Sequence, residues 1–466
     1  MKNIKKPELL IPAGGLETLR VAVDYGADAV YIGGQRFGLR AKADNFTRED
    51  MEEAVSICHK AGVKLYVTTN IYAHNDDVKM AADYFQELKE IGVDAVLISD
   101  PGLFSIAKPI LENSSTEIHI STQANNTNYM TYKFWHDMGA TRVVAARELS
   151  LKEITEIRDN IPDDLEIEAF MHGAMCISYS GRCLLSNYFT GRDANRGACT
   201  HPCRWKYAVV EEHRPGEYLP VEEDDRGTYI FNSKDLCMVD KIPDLINAGI
   251  DSFKVEGRMK TNLYVAVTAR TYREAIDDYY ESPDLYYSKI DHYIEEISAC
   301  TMRDFTRGFY YGKPSEEDQI YDNNTYIRNA VYMGRIESIE TEGVVESIDS
   351  EVSNATITGN ELNNNKINNN KINNNKINNN KFSDTITIEI YQKNKFSLGD
   401  TLQVMLHSGD NLEVKVIDIK DEYGRSMESA PHPKQKLTVT FMAAGADEDV
   451  NLSQIRTGMI LRTIEN

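Results

Sequence analysis

Eight short apolar runs recur through the first 260 residues of this chain, and each ends in a polar residue or a glycine. Most stretches between them have the apolar spacing of an amphipathic helix, and several end at a glycine, a frequent helix stop. Strand–helix units at intervals of mostly about 20–35 residues predict a parallel (β/α) barrel of the TIM type. The alternative is a doubly wound open sheet, because periodicity does not show closure. The predicted strands are residues 8–14, 29–34, 64–70, 95–100, 117–123, 142–148, 166–173 and 252–258.

The pattern changes after the eighth run, which divides the chain into three predicted parts. They are a barrel over 1–300 with a cysteine-rich insertion at 172–237, a connector at 301–325, and a C-terminal β domain over 326–466. Short alternating strands and turn signals in the last part predict a small antiparallel barrel or sandwich. An Asn-rich repeat at 361–382 cannot bury a core, and we expect a disordered insert there.

Polar residues follow the predicted strands at their carboxyl ends, where a (β/α) barrel carries its chemistry. The alternative for any one of them is a helix cap or an ion pair with a neighbour. The long connection between the seventh and eighth strands would lie over this mouth of the barrel. The rim residues selected in this way are Asn70, Asp100, Gln123, Arg147, Glu148, His172, Glu256 and Arg258.

Five of the seven cysteines fall in this connection, and the first four have the spacing C-x6-C-x15-C-x3-C. Zinc sites usually have closer pairs of cysteines, and a catalytic cysteine with His172 as its base would leave the other thiols unexplained. An iron–sulfur cluster accepts irregular spacing, and four thiolates suffice for a 4Fe–4S cluster. The spacing therefore favours a cluster over zinc. The candidate ligands are Cys176, Cys183, Cys199 and Cys203, with Cys237 further along the chain.

A group of cationic side chains surrounds these cysteines, although the chain as a whole has a net charge of −22. The acidic balance argues against non-specific binding of nucleic acid, but it allows a local basic site. No apolar run approaches the roughly 18 residues that a membrane helix needs, and the N-terminus lacks a signal-peptide core. We therefore expect a cytoplasmic protein without membrane contact. The candidate nucleic-acid-binding residues are Arg182, Arg192, Arg196, Arg204 and Lys206.

Several long motifs of this chain resemble the collagenase-like peptidase family. They include PELLIPAG, GADAVYIGG, SYSGRCLLS, RGACTxxCRW and KVEGRMK. The resemblance implies an RNA-modifying enzyme that hydroxylates carbon 5 of the wobble uridine of tRNA, with prephenate as co-substrate. It also implies dependence on the iron–sulfur assembly machinery and, among possible partners, a second family subunit. Other family members act on ribosomal RNA or a quinone precursor.

The resemblance assigns Cys176, Cys183 and Cys199 to the cluster and leaves the fourth ligand open between Cys203, which we favour, and Cys237. Rival functions are a peptidase or zinc hydrolase, for which the sequence has no HExxH or GxSxG motif, and a non-catalytic RNA-binding subunit.

The expected chemistry falls on residues at the ends of the sixth, seventh and eighth strands. His172, Glu256 and Arg258 are the candidate catalytic residues, with His172 as an acid or base beside the cluster or, alternatively, a ring bonded to backbone. Because prephenate is a dicarboxylate, cationic side chains are expected to bind it, and the candidates are Arg147, Lys254 and Arg258. Lys254 and Glu256 alternate along one strand, so an inward-facing ion pair between them is a further expectation.

Overall fold

A computed structural model describes most of the two domains of this chain. The described residues are 5–38, 45–174, 185–192, 200, 223–224, 227–228, 234–300, 304–312, 329–340, 385–444 and 451–464. The predicted cluster ligands Cys176, Cys183, Cys199 and Cys203 lie outside them, as do Arg182, Arg196, Arg204, Lys206 and the Asn-rich repeat.

Eight parallel strands form a closed barrel in the N-terminal part. Each strand pairs with the next in the sequence, and β8 closes the ring by pairing with both β7 and β1. Closure excludes the open-sheet alternative and confirms the predicted fold class. The strands are β1 (Glu8–Pro12), β2 (Ala29–Gly33), β3 (Lys64–Thr69), β4 (Ala95–Ile98), β5 (Glu117–Ile120), β6 (Arg142–Val144), β7 (Glu166–Gly173) and β8 (Ser252–Val255).

Helices cover the outside of the barrel, and several begin at residues suited to capping. The Thr47 and Ser150 side chains form capping boxes with Asp50 and Glu153, which satisfy amide groups in the first turns of α2 and α6. The helices are α1 (Leu16–Asp24), α2 (Arg48–Lys60), α3 (Asn75–Ile91), α4 (Pro101–Leu111), α5 (Tyr129–Met138), α6 (Leu151–Asn160), α7 (Leu185–Thr190), α8 (Ile242–Asn247), α9 (Asn262–Glu281), α10 (Pro283–Ser288) and α11 (Ile290–Ala299). In the described part of the chain, no helix has the length and apolar character needed to cross a membrane.

A short strand, Asp235–Cys237, extends the sheet at the carboxyl end of β7. It runs antiparallel to β7, with Cys237 opposite His172 and Leu236 opposite Gly173. A further short strand, Phe305–Thr306, pairs with it in parallel. The long connection predicted over the barrel mouth therefore returns to the barrel beside the end of β7.

The interior of the N-terminal barrel contains a buried network of charges. The Arg142 guanidinium contacts Glu8 at 2.6 Å, Glu166 at 2.9 Å and Glu168 at 3.3 Å, and only 2% of this side chain is exposed. Burial alone would raise the pKa of Glu8, but the charge and hydrogen bonds of Arg142 and a bond from Tyr66 lower it to about 2. These contacts join β1, β6 and β7 at the amino ends of the strands, opposite the mouth.

The C-terminal part forms a second closed barrel with an apolar core. Its strands follow the order β9-β10-β13-β12-β11-β14 around the ring, all antiparallel to their neighbours. The core is lined by side chains such as Ile388, Val416 and Phe441. This result selects the barrel over the sandwich. The strands are β9 (Ala330–Glu340), β10 (Thr385–Gln392), β11 (Thr401–Met405), β12 (Leu412–Asp421), β13 (Lys436–Ala443) and β14 (Ile460–Ile464).

Specific polar contacts join the two barrels. The buried Tyr25 hydroxyl donates to the Met405 carbonyl at 2.8 Å and accepts from the Ile460 amide at 2.9 Å. Glu296 of α11 lies between Arg270 of α9 and Arg462 of β14, at 2.6 Å and 2.8 Å. The second barrel therefore packs on the helical outside of the first, against α9, α11 and the end of α1.

Candidate active site at the barrel mouth

The loops that follow β3, β4 and β5 are joined to one another at the mouth. The Ser99 hydroxyl donates to the Asn70 carbonyl at 3.0 Å, and the Tyr72 hydroxyl donates to the Gln123 carbonyl at 2.6 Å. The Asn70 side-chain amide donates to the Ser121 hydroxyl at 3.2 Å. These bonds fix the rim as one surface, so the side chains on it keep defined positions.

Arg147 and Glu256 meet across the mouth from the ends of β6 and β8. The Arg147 guanidinium lies 2.9 Å from the Glu256 carboxylate and stacks on the Phe170 ring, with its carbon 3.9 Å from the ring centre. The side chains of the pair are 8% and 17% exposed, so the pair faces the mouth while the ring supports it from below. Two predicted site residues are thus in direct contact.

Arg258 is buried at the mouth beside β2 and β3. Its guanidinium donates to the Thr68 hydroxyl at 2.8 Å, and 6% of the residue is exposed. A β-carbon on Gly33 would overlap this guanidinium, and one on Gly14 would overlap the Arg258 carbonyl. Gly14, which ends the first predicted strand, and Gly33, which ends β2, therefore leave the space that the Arg258 segment occupies.

Lys254 lies in the barrel interior and pairs with a different carboxylate from the one expected. Its ammonium group is 2.8 Å from Glu168 and 4.4 Å from the centre of the Tyr31 ring, and 4% of the residue is exposed. The expected Lys254–Glu256 pair is wrong, because Glu256 extends instead to Arg147. A register shift in the pairing with β7 between Lys254 and Val255 separates the two residues.

His172 is buried among aromatic rings at the end of β7. Its Nδ1 atom lies 3.2 Å from the Tyr272 hydroxyl, and its ring centre lies 5.5 Å from that of Tyr272 and 6.0 Å from that of Phe305. Burial, with a smaller effect of Lys260, lowers the pKa of His172 to about 3. The imidazole is therefore neutral at physiological pH and lies between β7 and α9.

Cys237 lies in the same buried cluster as His172. Its sulfur is 3.6 Å from the Tyr272 hydroxyl, and 2% of the residue is exposed. Burial raises the pKa of the Cys237 thiol. The Tyr272 hydroxyl also accepts from the Met238 amide at 3.2 Å and donates to the Met171 carbonyl at 3.2 Å. Tyr272, which the sequence reasoning missed because it lies within a helix, thus connects both predicted site residues.

The remaining predicted residues are more dispersed. The Asp100 carboxylate caps α4 by accepting from the Gly102 and Leu103 amides at 2.8 Å and 3.0 Å, which is the structural alternative for a rim residue. Arg192 is exposed just beyond α7. Within the described ranges, no three His, Cys, Asp or Glu side chains are grouped as metal ligands.

The charged interior was also missed, although the sequence carried a signal for it. Five of the eight apolar runs begin with a charged residue, namely Glu8, Lys64, Glu117, Arg142 and Glu166. A mixture of both signs at equivalent positions of a closed barrel would have predicted internal pairing.

Comparison with known proteins shows the family to which this chain belongs. The model described as Peptidase family U32 matches residues 14–320, and that of the Peptidase family U32 C-terminal domain matches residues 376–462. The tRNA hydroxylation protein P1 of Bacillus subtilis (strain 168) is 37% identical over 431 residues, covering 92% of this chain and 91% of the relative. The tRNA hydroxylation protein P of Escherichia coli (strain K12) is 35% identical over 465 residues, covering 91% and 92%.

A relative that acts on a different RNA is similar over a shorter stretch. The 23S rRNA 5-hydroxycytidine synthase of Escherichia coli (strain K12) is 38% identical over 270 residues, which are 58% of this chain and 39% of that protein. The family matches cover both barrels and confirm the resemblance seen in the sequence motifs. This chain belongs to peptidase family U32.

Proposed function

We propose that this chain hydroxylates carbon 5 of the wobble uridine in tRNA, with prephenate as co-substrate and a 4Fe–4S cluster as cofactor. The observation that carries the proposal is the 37% identity to a tRNA hydroxylation protein over 92% of this chain. The relative named for 5-hydroxycytidine synthesis supports carbon 5 of a pyrimidine as the reaction centre. RNA hydroxylation is the activity common to these names.

The mouth of the N-terminal barrel supports binding of a dicarboxylate. Arg147 and Arg258 present guanidinium groups there, and this group pairs with carboxylates through two parallel hydrogen bonds. Lys254 is a weaker candidate, because it lies within β8 in the barrel interior, paired with Glu168, and not at the mouth. We therefore assign prephenate to the two arginines.

We assign the cluster to Cys176, Cys183, Cys199 and Cys203. Cys176 follows Gly173 by three positions in the sequence, and Gly173 ends β7 at the mouth. Cys237 is disfavoured as the fourth ligand, because its sulfur contacts the Tyr272 hydroxyl between the short strand and α9. Carbon 5 of uracil is not easily oxidised, so hydroxylation needs electron removal or an activated hydroxyl source, and a bound cluster would supply one-electron chemistry.

We assign tRNA binding to the basic group of Arg182, Arg192, Arg196, Arg204 and Lys206. Arg192 is exposed, which suits contact with phosphate. In a chain with a net charge of −22, such a local group is needed to attract a polyanion. Changing Arg192 and Arg196 together to Ala should weaken tRNA binding and flatten its salt dependence.

The substrate assignment is tested with anaerobically purified full-length protein. Incubation with unmodified tRNA and prephenate should yield 5-hydroxyuridine, detected by mass spectrometry of the nucleosides, and omission of prephenate should abolish it. Arg258→Ala should lose the product while keeping iron content and tRNA affinity. Arg425→Ala, which changes an exposed arginine of the second barrel, is the control. Peptide hydrolysis without tRNA hydroxylation would instead support a peptidase.

The cluster assignment is tested by iron content and visible absorbance. The protein should hold about four irons per chain. Replacing Cys176, Cys183, Cys199 or Cys203 by Ala should remove them, whereas Cys237→Ala should retain them. A colourless protein with one bound zinc ion would contradict the assignment, and loss of iron in Cys237→Ala alone would make Cys237 the fourth ligand.

A further inference from the structure

We propose that Gln123 and Asn70 bind the target nucleotide directly, Gln123 through the edge of the uracil ring and Asn70 through the ribose 2′-hydroxyl. This inference rests on the proposed function, since it assigns the residues that recognise its substrate. The two residues follow β5 and β3 at the barrel mouth, and neither takes part in the charge pairs described above.

A shared serine places the two side chains on one surface. The Ser121 hydroxyl accepts from the Asn70 side-chain amide at 3.2 Å and from the Gln123 backbone amide at 3.3 Å. The Tyr72 hydroxyl bonds to the Gln123 carbonyl at 2.6 Å and fixes the same loop from the other side. Both residues are therefore held in place by groups other than their amide oxygens.

Those amide oxygens have no hydrogen-bond partner among the described residues. Asn70 Oδ1 and Gln123 Oε1 are both buried, and neither accepts a hydrogen bond from a described residue. A buried acceptor without a donor costs free energy, so such atoms at a site mark places where a ligand donor fits. The mouth thus offers two acceptors to an incoming molecule.

A uridine within RNA has two hydrogen-bond donors, the N3–H of the base and the 2′-hydroxyl of the ribose. Two donors match the two free acceptors of the mouth. Whether the amide nitrogen of each residue is already hydrogen-bonded then decides which acceptor receives which donor. The Asn70 nitrogen is engaged by Ser121, so Asn70 offers only an acceptor, as a hydroxyl group requires.

The Gln123 nitrogen makes no bond within the described part of the chain, so Gln123 offers a donor beside its acceptor. That pair is complementary to N3–H and a neighbouring carbonyl of uracil. A third buried amide oxygen, on Asn125, lies on the same loop but has no link to Ser121. For this reason the assignment is to Asn70 and Gln123.

A chemical double-mutant cycle tests the base contact. The probes are two anticodon stem-loop RNAs, one with uridine and one with 3-methyluridine at the target position, and the readout is the Kd for the full-length protein. The wild type should prefer uridine by about 10–100-fold, as expected for a two-bond contact. Gln123→Leu should bind both RNAs equally and at the weaker level, because the substitution removes the amide oxygen that accepts from N3–H, so methylation of N3 breaks no further bond.

The second arm tests the ribose contact with a stem-loop that carries 2′-deoxyuridine. The wild type should bind it several-fold more weakly than the uridine RNA, and Asn70→Leu should lose that preference while keeping the preference against 3-methyluridine. Gln435→Leu is the matched control, because Gln435 has a similarly buried, unpartnered amide oxygen in the second barrel, away from the mouth. It should leave every ratio unchanged.

Three results overturn the inference. The first two are equal binding of all three RNAs by the wild type and an undiminished preference for uridine in Gln123→Leu. Neither depends on catalysis, so they are separate from failure of the proposed function, which would appear as no 5-hydroxyuridine in the wild-type reaction. The third result is loss of the preference for uridine in both Gln123→Leu and Gln435→Leu, because it would reflect a general loss of folding.

Discussion

The two barrels of this protein differ in what fills their interiors. The N-terminal barrel encloses Arg142, Glu168 and Lys254, each at most 6% exposed by side chain, whereas the core of the C-terminal barrel consists of aliphatic and aromatic side chains. The buried charges of the second barrel lie outside its core, with Asp421 bonded to Arg425 at the surface and Arg462 bonded to Glu296 of the first barrel.

The different interiors suit different tasks, stability in the second barrel and chemistry in the first. An apolar core fills a small barrel at the least desolvation cost, whereas buried ion pairs are costly unless every partner is satisfied. In the first barrel the charges are aligned from the amino ends of the strands, through Lys254 and Glu168, to Arg147 and Glu256 at the mouth. We infer that the charged interior holds the mouth arginines in fixed positions, while the second barrel is a support.

The largest expected effect comes from removing the central cation of the network. Arg142→Met leaves Glu8, Glu166 and Glu168 without their guanidinium partner and should lower the free energy of unfolding by about 3–5 kcal/mol. Urea unfolding followed by circular dichroism measures the loss.

The matched control lies in the second barrel. Arg425→Met removes a guanidinium that is 73% exposed, and should lower the free energy of unfolding far less than Arg142→Met, because solvent screens a surface pair. Equal losses in the two variants would show that the charged interior contributes no more than a surface pair.

The second effect is the acid sensitivity of the same network. The pKa of Glu8 in the folded chain is about 2, below its ordinary value of 4.5, so its stabilising effect is complete above pH 4.5 and is lost as the pH falls towards 2. This group should contribute about 3 kcal/mol to the decline in stability over that range.

The measurement is the free energy of unfolding as a function of pH. Glu8→Gln should have a shallower decline between pH 5 and 2 than the wild type, because it lacks the titrating carboxyl. A smaller decline in the free energy of unfolding should remain in the variant. It comes from Glu117, whose pKa is also lowered to about 2, chiefly by its hydrogen bond with His119. Identical pH profiles would contradict the pairing of Glu8 with Arg142.

Some features of this comparison were predictable from the sequence and others were not. The eight barrel strands begin at the predicted residues, because apolar runs bounded by helices determine where a strand starts. β7 ends where its apolar run ends, and the other seven strands end earlier than their runs, by up to four residues in β6, where Ala145 and Ala146 already belong to the rim. The apolar runs therefore include the rim residues, but the sequence pattern does not show where each strand ends and the rim begins.

The partners of the site residues were not predictable, for a geometric reason. Strand alternation suggested that Lys254 and Glu256 face the same side, but the register shift after Lys254 breaks the alternation. Likewise, the contacts of His172 with Tyr272 and Phe305 join residues about one hundred positions or more apart. Such contacts depend on how α9 and the short strands pack, which periodicity does not encode.

The third effect is on activity rather than stability. Gly33→Ala places a methyl group where the Arg258 guanidinium lies, and displacement of a binding group by about 1 Å can reduce a reaction rate by up to about 100-fold. Gly15→Ala is the control, because a β-carbon there meets no atom within 4 Å. The readout is the initial rate of 5-hydroxyuridine formation, and equal rates in both variants would remove Arg258 from the site.

The smallest effect tests the supporting role of the second barrel. Ile388→Val removes one methylene from its apolar core and should lower the free energy of unfolding by about 1 kcal/mol. Because no charge is involved, the loss should be the same at pH 4 and pH 7. The hydroxylation rate should be unchanged, and a reduced rate at a temperature where the variant is folded would show that the second barrel takes part in catalysis.

The most direct test of the central claim, that the mouth of the charged barrel hydroxylates tRNA, is mass spectrometry of tRNA nucleosides from a strain that lacks this gene. The account predicts that 5-hydroxyuridine and its derivatives disappear and that the wild-type gene restores them. Arg425→Ala should restore them as well, whereas Arg258→Ala should not. Unchanged 5-hydroxyuridine in the deletion strain, or full restoration by Arg258→Ala, would contradict the account.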